Sequence, residues 1–457
     1  MENKTRIVYH AVQAFLKRDG LSKVIDILNT LHPADAADIV ENLPDKFKQK
    51  IFEKWNPKKS AEAFTEIEDV ERKELAKSLK ISVISKILEE MSPDNTADLL
   101  DDLNIKIASK ILDSINMKKA ETIKKLLRHK KHTAGGLMTP EFIAVNDTIT
   151  VREAIENVQK QAVEAETIYY VYVVNSEKKV VGTLSFKQLI TTQPETPVSD
   201  VMTRGVIYVK TDTDQEEVAR IIAKYDFIAL PVMDEAQELV GVITIDDVVD
   251  VIKKETTEDM YRLSGTEVIP DIVSREKTSS VIRARTPWLL MALLGEVFLV
   301  GLIVQKFSYL ILTLPALAVY WACMTSTGGN TAFQASTITV RAIALGEKRP
   351  TKILNRIIRE AYIGIILGII TTAILFTIAI FWHNLFPLAY IIAAANIAIV
   401  FSGSLTGMII PIVLHSLRID PAVASSPLLA LLMDAGSLLI YFSIATLVLH
   451  SIGILAS

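Results

Sequence analysis

The residue most in need of a chemical reason is Asp434. It lies inside LLALLMDAGSLLIYF (428–442), a run otherwise apolar apart from Ser437 and the hydroxyl of Tyr441. A carboxylate at bilayer depth costs about 2.5–3.5 kcal/mol on insertion scales, so such a group faces protein or water and marks an ion path. On a helix, Ala430 and Ser426 share its face, four and eight residues earlier, and Ser437 follows at three. These small side chains leave room for something wide and expose backbone carbonyls. The pattern suits a water-filled vestibule ringed with negative charge.

A second polar knot is STGGNTAFQASTITVR (326–341). Gly328 and Gly329 are expected to interrupt an apolar helix near its middle, with Asn330, Thr331 and Gln334 at the break. Irregular backbone at membrane depth is tolerated only against protein or a water-filled cavity. The competing reading is a close helix-packing kink. Glu296 stands deep in another apolar run with no role assigned. Glu360 lies near the inner end of a third, within reach of Arg356 and Arg359.

The remaining chemistry is acidic. DDVVDVIKKETTEDMYRLSG (246–265) offers Asp246, Asp247, Asp250, Glu255, Glu258 and Asp259 on a helix leading toward the membrane. Asp212, Asp214, Glu216 and Asp226 precede it, and Asp94 and Asp98 sit one turn apart far upstream. Any one of them reads as a solvated surface acid. As a set they form surfaces that repel unless a divalent cation lies between them, and Mg²⁺ suits carboxylate oxygens with retained waters.

The elements that must hold these residues fall into a soluble front and a membrane back. The 457 residues are too many for one ordinary core, and 50% are hydrophobic. From Thr286 onward there are eight Lys/Arg and five Asp/Glu, leaving 41 and 48 before it, so the front carries −7 and the back +3. The single cysteine, Cys323, excludes an internal disulfide framework or a thiolate metal site. The opening MENKTRIVYHAVQAFLKRDG lacks the apolar core of a signal peptide, so the front is expected in the cytosol. Five segments have the length and apolarity of a span: 287–307, 310–340, 357–382, 389–417 and 427–454. The second and fourth are long enough to expect breaks or tilts. Lys/Arg cluster before the first segment and in the second and fourth loops, which predicts a cytosolic N-terminus and an external C-terminus. Trp288, Trp382 and Tyr390 fall at the predicted interfaces.

Two repeats organise the soluble front. LHPADAADIVENLP (31–44) matches MSPDNTADLLDDLN (91–104), and no strand-like alternation occurs before residue 140, so 1–131 reads as stacked short helices. LMTPEFIAVNDTITVREAI (137–155) matches VMTRGVIYVKTDTDQEEVARII (201–222), and 169–190 matches 227–252; each unit runs strand, helix, strand, turn, strand, helix. This resembles a tandem pair of CBS domains. Such pairs often take adenine nucleotides, and the second unit has the run Gly241, Thr244, Asp247, whereas the first reads Gly182, Ser185, Gln188 without the ribose carboxylate. ATP is therefore a candidate regulatory ligand at Thr244 and Asp247. The plainer reading is that Thr244 caps the following helix.

In this order the parts resemble the MgtE family of magnesium channels and transporters. The motifs that carry the resemblance are TGGNTAFQ (327–334), GMIIPIVLHSLRIDPAVASSP (407–427), MDAGSLLIYF (433–442), TAGGLMTPEFIAV (133–145) and TTEDMYRLSG (256–265). It implies a multidomain membrane protein: an all-α superhelical N domain (1–131), α/β tandem CBS domains (132–252), a connecting plug helix (253–285) and a five-helix transmembrane pore domain (286–457). It implies a homodimer in the cytoplasmic membrane, embedded in lipid, with no nucleic-acid partner and no enzymatic activity. Asp434 matches the pore carboxylate, with Ala430, Ser426, Gly328, Gly329 and Asn330 around the same path. Asp94, Asp98, Asp214, Glu216, Asp226, Asp247, Asp250, Glu255, Glu258 and Asp259 match or neighbour regulatory Mg²⁺ positions. The chain departs from the family pattern at Ala430, Leu431 and Ala435, where threonines are common nearby, and at Ala332. The expected activity is Mg²⁺ influx through a channel that Mg²⁺ itself closes. No P-loop is present and none is required, because the potential supplies about 4.6 kcal/mol per dication per 100 mV. The alternative is an ion-coupled secondary transporter of divalent cations, for which Glu296 would be the second protonatable group.

Overall fold

The computed structural model describes residues 3–18, 20–162, 165–266, 278–344, 353–424 and 426–454. The chain divides into two compact units, Met1–Lys253 and Lys254–Ser457.

The first unit opens with ten helices among the described residues: α1 (Asn3–Leu16), α2 (Leu21–Thr30), α3 (Pro33–Glu41), α4 (Asp45–Lys54), α5 (Pro57–Thr65), α6 (Asp69–Ser78), α7 (Ile81–Glu90), α8 (Pro93–Asp102), α9 (Ile105–Leu112) and α10 (Met117–Leu126). Helices this short are marginal alone, so their stability comes from stacking. Their ends are written locally. Proline opens α3, α5 and α8, where the missing N–H costs no intrahelical bond. Asn56 Oδ1 accepts from the Lys58 and Lys59 amides at 3.0 and 3.3 Å. The two copies of the early repeat are α3 and α8. Their apolar faces join one continuous core through residues such as Ile39, Phe64, Leu88 and Leu99.

A short α11 (Ala134–Leu137) leads into the two α/β repeats. The first has β1 (Ala144–Asn146), α12 (Val151–Gln161), β2 (Tyr170–Val174), β3 (Val180–Ser185) and α13 (Phe186–Thr191). After α14 (Val198–Val201), the second has β4 (Val209–Lys210), α15 (Gln215–Tyr225), β5 (Ala229–Met233), β6 (Leu239–Thr244) and α16 (Ile245–Leu263). In each sheet the first pair is parallel and the second antiparallel, with a register shift at equivalent positions, Val173/Val174 and Val232/Met233. The repeats exchange their leading segments. Thr139 pairs with Val242 of the second unit at 2.8 and 2.9 Å, and Thr203 pairs with Thr183 of the first at 2.9 and 3.0 Å. Gly241 is glycine because Met138 lies where a Cβ would stand, and Gly182 because Met202 does.

α16 ends at Leu263 in a Schellman arrangement: Thr266 N–H reaches Tyr261 O, Gly265 N–H reaches Arg262 O, and Gly265 takes φ +67. Residues 267–277, inside the segment read as a connecting helix (253–285), lie outside the described residues.

The membrane unit contains α17 (Thr278–Gly295), a π-turn (Glu296–Val300), α18 (Gly301–Lys306), α19 (Ser308–Thr313), α20 (Leu317–Ala344), α21 (Ile353–His383), α22 (Phe386–Ser416), a 3₁₀ turn (Pro421–Ala424) and α23 (Ser426–Ser451). Four helical stretches are long and apolar enough to cross a membrane: Val281–Lys306, Leu354–His383, Phe386–Ser416 and Pro427–Ser451. The fifth expected span is α20, which is long enough at 28 residues but carries many hydroxyl and amide side chains.

The expected interruption at Gly328–Gly329 does not occur. α20 runs unbroken through both glycines, and the long second segment breaks instead between α19 and α20, at Leu314–Ala316. Nor is α22 broken, although Pro411 lies inside it. The reason is packing. A Cβ on Gly328 would stand 2.5 Å from Ser437 Oγ and 2.7 Å from Ile399 Cγ2, and one on Gly403 would stand 2.7 Å from Gly328 O. One turn on, Gly407 leaves no space for a Cβ against the Ala332 backbone. Gly403 and Gly407 thus make a small-residue seam against Gly328 and Ala332, the kind that lets helix backbones touch in lipid. Gly364 and Gly368 of α21 form a second seam against Phe401, Ser404 and Ile397 of α22. Gly329, by contrast, meets nothing within 4 Å. With seams on two sides, α22 is the central helix.

Candidate functional site

α23 presents Asp434 on a half-open face. Ala430 is exposed, Asp434 is half-buried, and Gly436 borders open space. Ser426 is the first residue of α23, and its side chain lies outside the described residues. Ser437 is not on the open face. It is fully buried against Gly328, and its Oγ lacks a hydrogen-bond partner among the described residues. A three-residue step turns 300° around a helix, enough here to move Ser437 onto the α20 seam. Met433 turns to the same packed side as Gly328 and Gly403. On α20, Asn330 is exposed and its amide leans on Ser326 Oγ at 3.4 Å; Gly329 is half-exposed beside it.

The two other membrane acids have partners that sequence reasoning did not assign. Glu360 accepts from Ser404 Oγ at 2.6 Å across the α21–α22 seam. The Glu296 side chain reaches that of Asp434, the π-turn it opens lying against α23.

In the soluble unit, one group of expected acids does come together. Asp94, in the first turn of α8, is buried at 8% exposure, and its Oδ1 has no hydrogen-bond partner among the described residues. Burial raises its carboxyl above the ordinary range, hydrogen bonds from Ser92 and the backbone work against this, and the Asp246 charge adds to the rise. Asp247 opens α16 nearby. Burial first, then the Asp94 charge, pushes it up to about 8, although the Thr244 hydroxyl donates to its Oδ2 at 2.7 Å. Glu166 joins them at the solvent-exposed edge, its carboxyl raised to about 7 by partial desolvation and by the charges of Asp94, Glu141 and Asp246. Like charges in a shielded place cannot all ionise cheaply, so each holds its proton longer. Lys119 is the nearby cation. It is tied to the Glu89 carbonyl at 2.6 Å, and its ammonium is lowered by burial despite Glu141, Glu89, Glu90 and Asp94.

The other expected acids are arranged differently. Asp98 sits beside Lys131, whose ammonium is also bonded to Asp102 at 2.7 Å. Asp214 caps α15 by accepting from the Glu216 amide at 2.9 Å, and both side chains are exposed. Asp226 ends α15 in the left-handed region with φ +53, and Asp250 is exposed on α16. Among the described residues no three His, Cys, Asp or Glu side chains stand ready as a metal cage. In the second unit Glu258 pairs with Arg262, which also holds Asp420 of the loop before α23. Asp420 in turn caps the 3₁₀ turn by accepting from the Ala422 amide at 2.8 Å. Burial and the Glu255 charge raise the Asp259 carboxyl, Arg262 and Arg341 oppose this, and Glu258 adds to it.

Comparison with known proteins decides the family. The chain is 34% identical over 456 residues to the magnesium transporter MgtE of Thermus thermophilus, covering 99% of this chain and 100% of that one. It is 31% identical over 450 residues to the Bacillus subtilis protein of the same name, covering 96% of each. The chain belongs to the MgtE family. MgtE sequence models agree along its length: the intracellular N domain matches 31–132, CBS domains match 134–195 and 198–254, and the divalent cation transporter region matches 321–444. This is a multi-pass membrane protein of a magnesium-transporter family, and catalytic activity is not indicated.

Two solved structures cover the front. One, the soluble part of a magnesium transporter, has 35% identity and a TM-score of 0.51 over 55% of this chain and 99% of that one. The other, the cytosolic domain of the Mg²⁺ channel MgtE in complex with ATP, has 36% identity and a TM-score of 0.51 over 53% and 99%. In this chain Thr244 and Asp247 are bonded to each other at the start of α16, and Ser185 and Gln188 form the matching capping box on α13. Glu166 and the Glu296–Asp434 contact were missed by sequence reasoning because their partners lie far along the chain. The α22 seam had a local signal, the Gly-x-x-x-Gly spacing of GSLTG (403–407).

Proposed function

We propose that this chain is a homodimeric, Mg²⁺-selective channel of the cytoplasmic membrane that carries Mg²⁺ inward down the membrane potential and is closed by Mg²⁺ binding between the cytosolic N and CBS domains. The observation that carries this reading is Asp434, half-buried on a face bordered by exposed Ala430 and open space at Gly436. Two such carboxylates across a twofold axis would hold a hydrated Mg²⁺, which gives up its water reluctantly and suits a wide negative ring. The polar α20 with Gly329 and Asn330, and the start of α23 at Ser426, complete the path in this reading, whereas Gly328 is packed into the seam behind it. The N-terminus is inside and the C-terminus outside, following the Lys/Arg loops.

The domains follow the division at 1–131, 132–252, 253–285 and 286–457. Regulation rests on Asp94 and Asp247, whose raised carboxyls are the ones a divalent cation would hold ionised; Asp98, Asp214, Glu216, Asp226, Asp250, Glu255, Glu258 and Asp259 supply further acidic positions. Mg²⁺ closes the pore only by binding the closed arrangement better. Pairing of two copies is supported by apolar residues left exposed at equivalent positions of the repeats: Phe186 and Ile190 on α13, Ile245 and Val249 on α16. ATP is a further ligand in this reading, with Thr244 and Asp247 taking the ribose, so that one carboxylate serves both nucleotide and acidic cluster.

The test is Asp434→Asn in liposomes with a Mg²⁺-sensitive dye inside. A charge at about 4 Å is worth about 4 kcal/mol at an effective dielectric of about 20, so flux should fall by about a hundredfold or more. Unchanged flux would refute the pore role. A second reading, ion-coupled transport, is favoured by one observation, the carboxyl of Glu296 against Asp434. It requires Mg²⁺ flux to follow an imposed proton or sodium gradient at fixed potential.

A further inference from the structure

The first membrane helix is not regular where it passes Asp434. α17 stops at Gly295, five residues follow as a π-turn from Glu296 to Val300, and α18 resumes at Gly301. A π-turn widens the helix by one residue per turn and redirects the side chains on it, and such turns gather at functional sites. Glu296 opens this one. Its neighbours Val297 and Phe298 are largely exposed, at 59% and 64%. Glu296 instead reaches Asp434, with the π-turn lying against α23.

The approach is held from the adjacent position. Gly295 packs on Leu431 so closely that a Cβ would overlap the leucine methyls. Leu431 is three residues before Asp434, hence on the neighbouring turn of α23. The two helices are therefore pinned one turn from the carboxylate, and the π-turn swings Glu296 onto it. An acid in lipid without a partner is costly. No ion pair to Glu296 occurs among the described residues, so Asp434 is the partner on which its placement depends.

We propose that Glu296 is a positioning residue for the Asp434 carboxylate, fixing its rotamer and so setting the selectivity of the constriction for Mg²⁺ over Ca²⁺. The proposal rests on the channel reading of Asp434. Its physical content is geometric. A hydrated Mg²⁺ needs acceptors at fixed spacing around its water shell, whereas Ca²⁺ sheds water readily and takes six to eight oxygens in flexible geometry. A carboxylate free to swing favours the adaptable ion. A carboxylate held by a second side chain favours the rigid one.

The experiment uses the full-length protein in liposomes, with Mg²⁺ and Ca²⁺ influx measured separately for wild type, Asp434→Asn, Glu296→Ala and Glu296→Gln, each first checked for monodispersity and thermal unfolding. Glu296→Ala should lower Mg²⁺ flux roughly tenfold, as for one lost hydrogen bond to a charged group, and lower the Mg²⁺/Ca²⁺ ratio with it. Glu296→Gln keeps the reach and the hydrogen-bonding capacity and should restore both. That rescue would also speak against proton coupling through Glu296, since an amide carries no exchangeable acid proton. If Asp434→Asn abolishes flux while Glu296→Ala matches wild type in flux and ratio, the positioning role is overturned and the channel reading stands. If Glu296→Ala lowers both ions equally and Glu296→Gln does not rescue, the residue supports folding only and the proposal fails. If Asp434→Asn conducts normally, the channel reading fails and takes this inference with it.

Discussion

Asp434 and Asp94 are carboxylates placed where water is scarce, and their surroundings solve the problem in opposite ways. Around Asp94 the soluble unit accumulates acids, Asp246, Asp247 and Glu166; the carboxyls of Asp94, Asp247 and Glu166 are raised, and Asp94 Oδ1 is left unsatisfied among the described residues. Around Asp434 the membrane unit removes bulk, with Ala430 and Gly436 beside it and the Gly328 seam behind, and supplies a single partner in Glu296. The soluble cluster can tolerate its own repulsion because protons and cations reach it from water. The membrane site is shaped by backbone contact along the glycine seam, which leaves its other face open. The same chemical group is thus packed differently in the two units.

Three predictions probe this contrast. The largest effect is expected on the membrane side. Gly407→Leu drives a side chain into the Ala332 backbone, and overpacking of this kind costs about 1–3 kcal/mol or more. The detergent-solubilised protein should unfold at lower temperature and lose flux, while Mg²⁺ protection of the soluble unit against protease stays as in wild type. Loss of that protection would mean the two regions do not pack independently.

On the soluble side, Mg²⁺ that binds the folded cluster should stabilise it, by about 2.7 kcal/mol when free Mg²⁺ is a hundredfold above Kd. Asp247→Asn should remove most of this shift in thermal unfolding. The same variant should alter the pH profile in chelator. Asp247 moves from an ordinary 3.8 to about 8 on folding, and Glu166 from 4.5 to about 7. The folded state therefore keeps protons that the unfolded state has released. Stability from these groups is present at low pH and declines as pH rises from about 4 toward 8. Asp247→Asn should flatten that decline, and Mg²⁺ should oppose it in wild type. A chelated protein equally stable at pH 5 and 8 would contradict the burial assigned to this cluster.

The smallest effect belongs to Arg262, whose ion pairs with Glu258 and Asp420 are about a third exposed. Pairs of this kind contribute about 0.2–1 kcal/mol. Arg262→Ala should raise the Mg²⁺ concentration needed for half-closure by no more than about fivefold. A larger change would place the α16 link to the α23 loop among the main gating contacts.

Much of this architecture is legible locally. Proline at the first turn of α3 and α8, the duplicated opening stretches of the α/β repeats at Met138 and Met202 and the run lengths of the membrane segments all follow from short-range rules. The misreading at Gly328–Gly329 is instructive for the same reason. Glycine pairs weaken a helix in isolation, and only the presence of Gly403 and Gly407 on another helix turns Gly328, with Ala332, into a close seam, while Gly329 borders open space. Ser437 was placed on the open face by spacing alone, and the same seam buries it.

The amino-acid sequence by itself determined the order of helical, α/β and membrane parts, the identity of Asp434 as an acid in an apolar run, and the repeats within the soluble front. These depend on periodicity and on transfer of side chains between water and lipid, both properties of short stretches. Tertiary structure alone decided that Glu296 reaches Asp434, that Glu166 joins Asp94 and Asp247, and that each α/β repeat borrows its leading segment from the other's side. Those pairings join residues from 20 to more than a hundred positions apart, and local propensity carries no information about which distant surface will fill a given space.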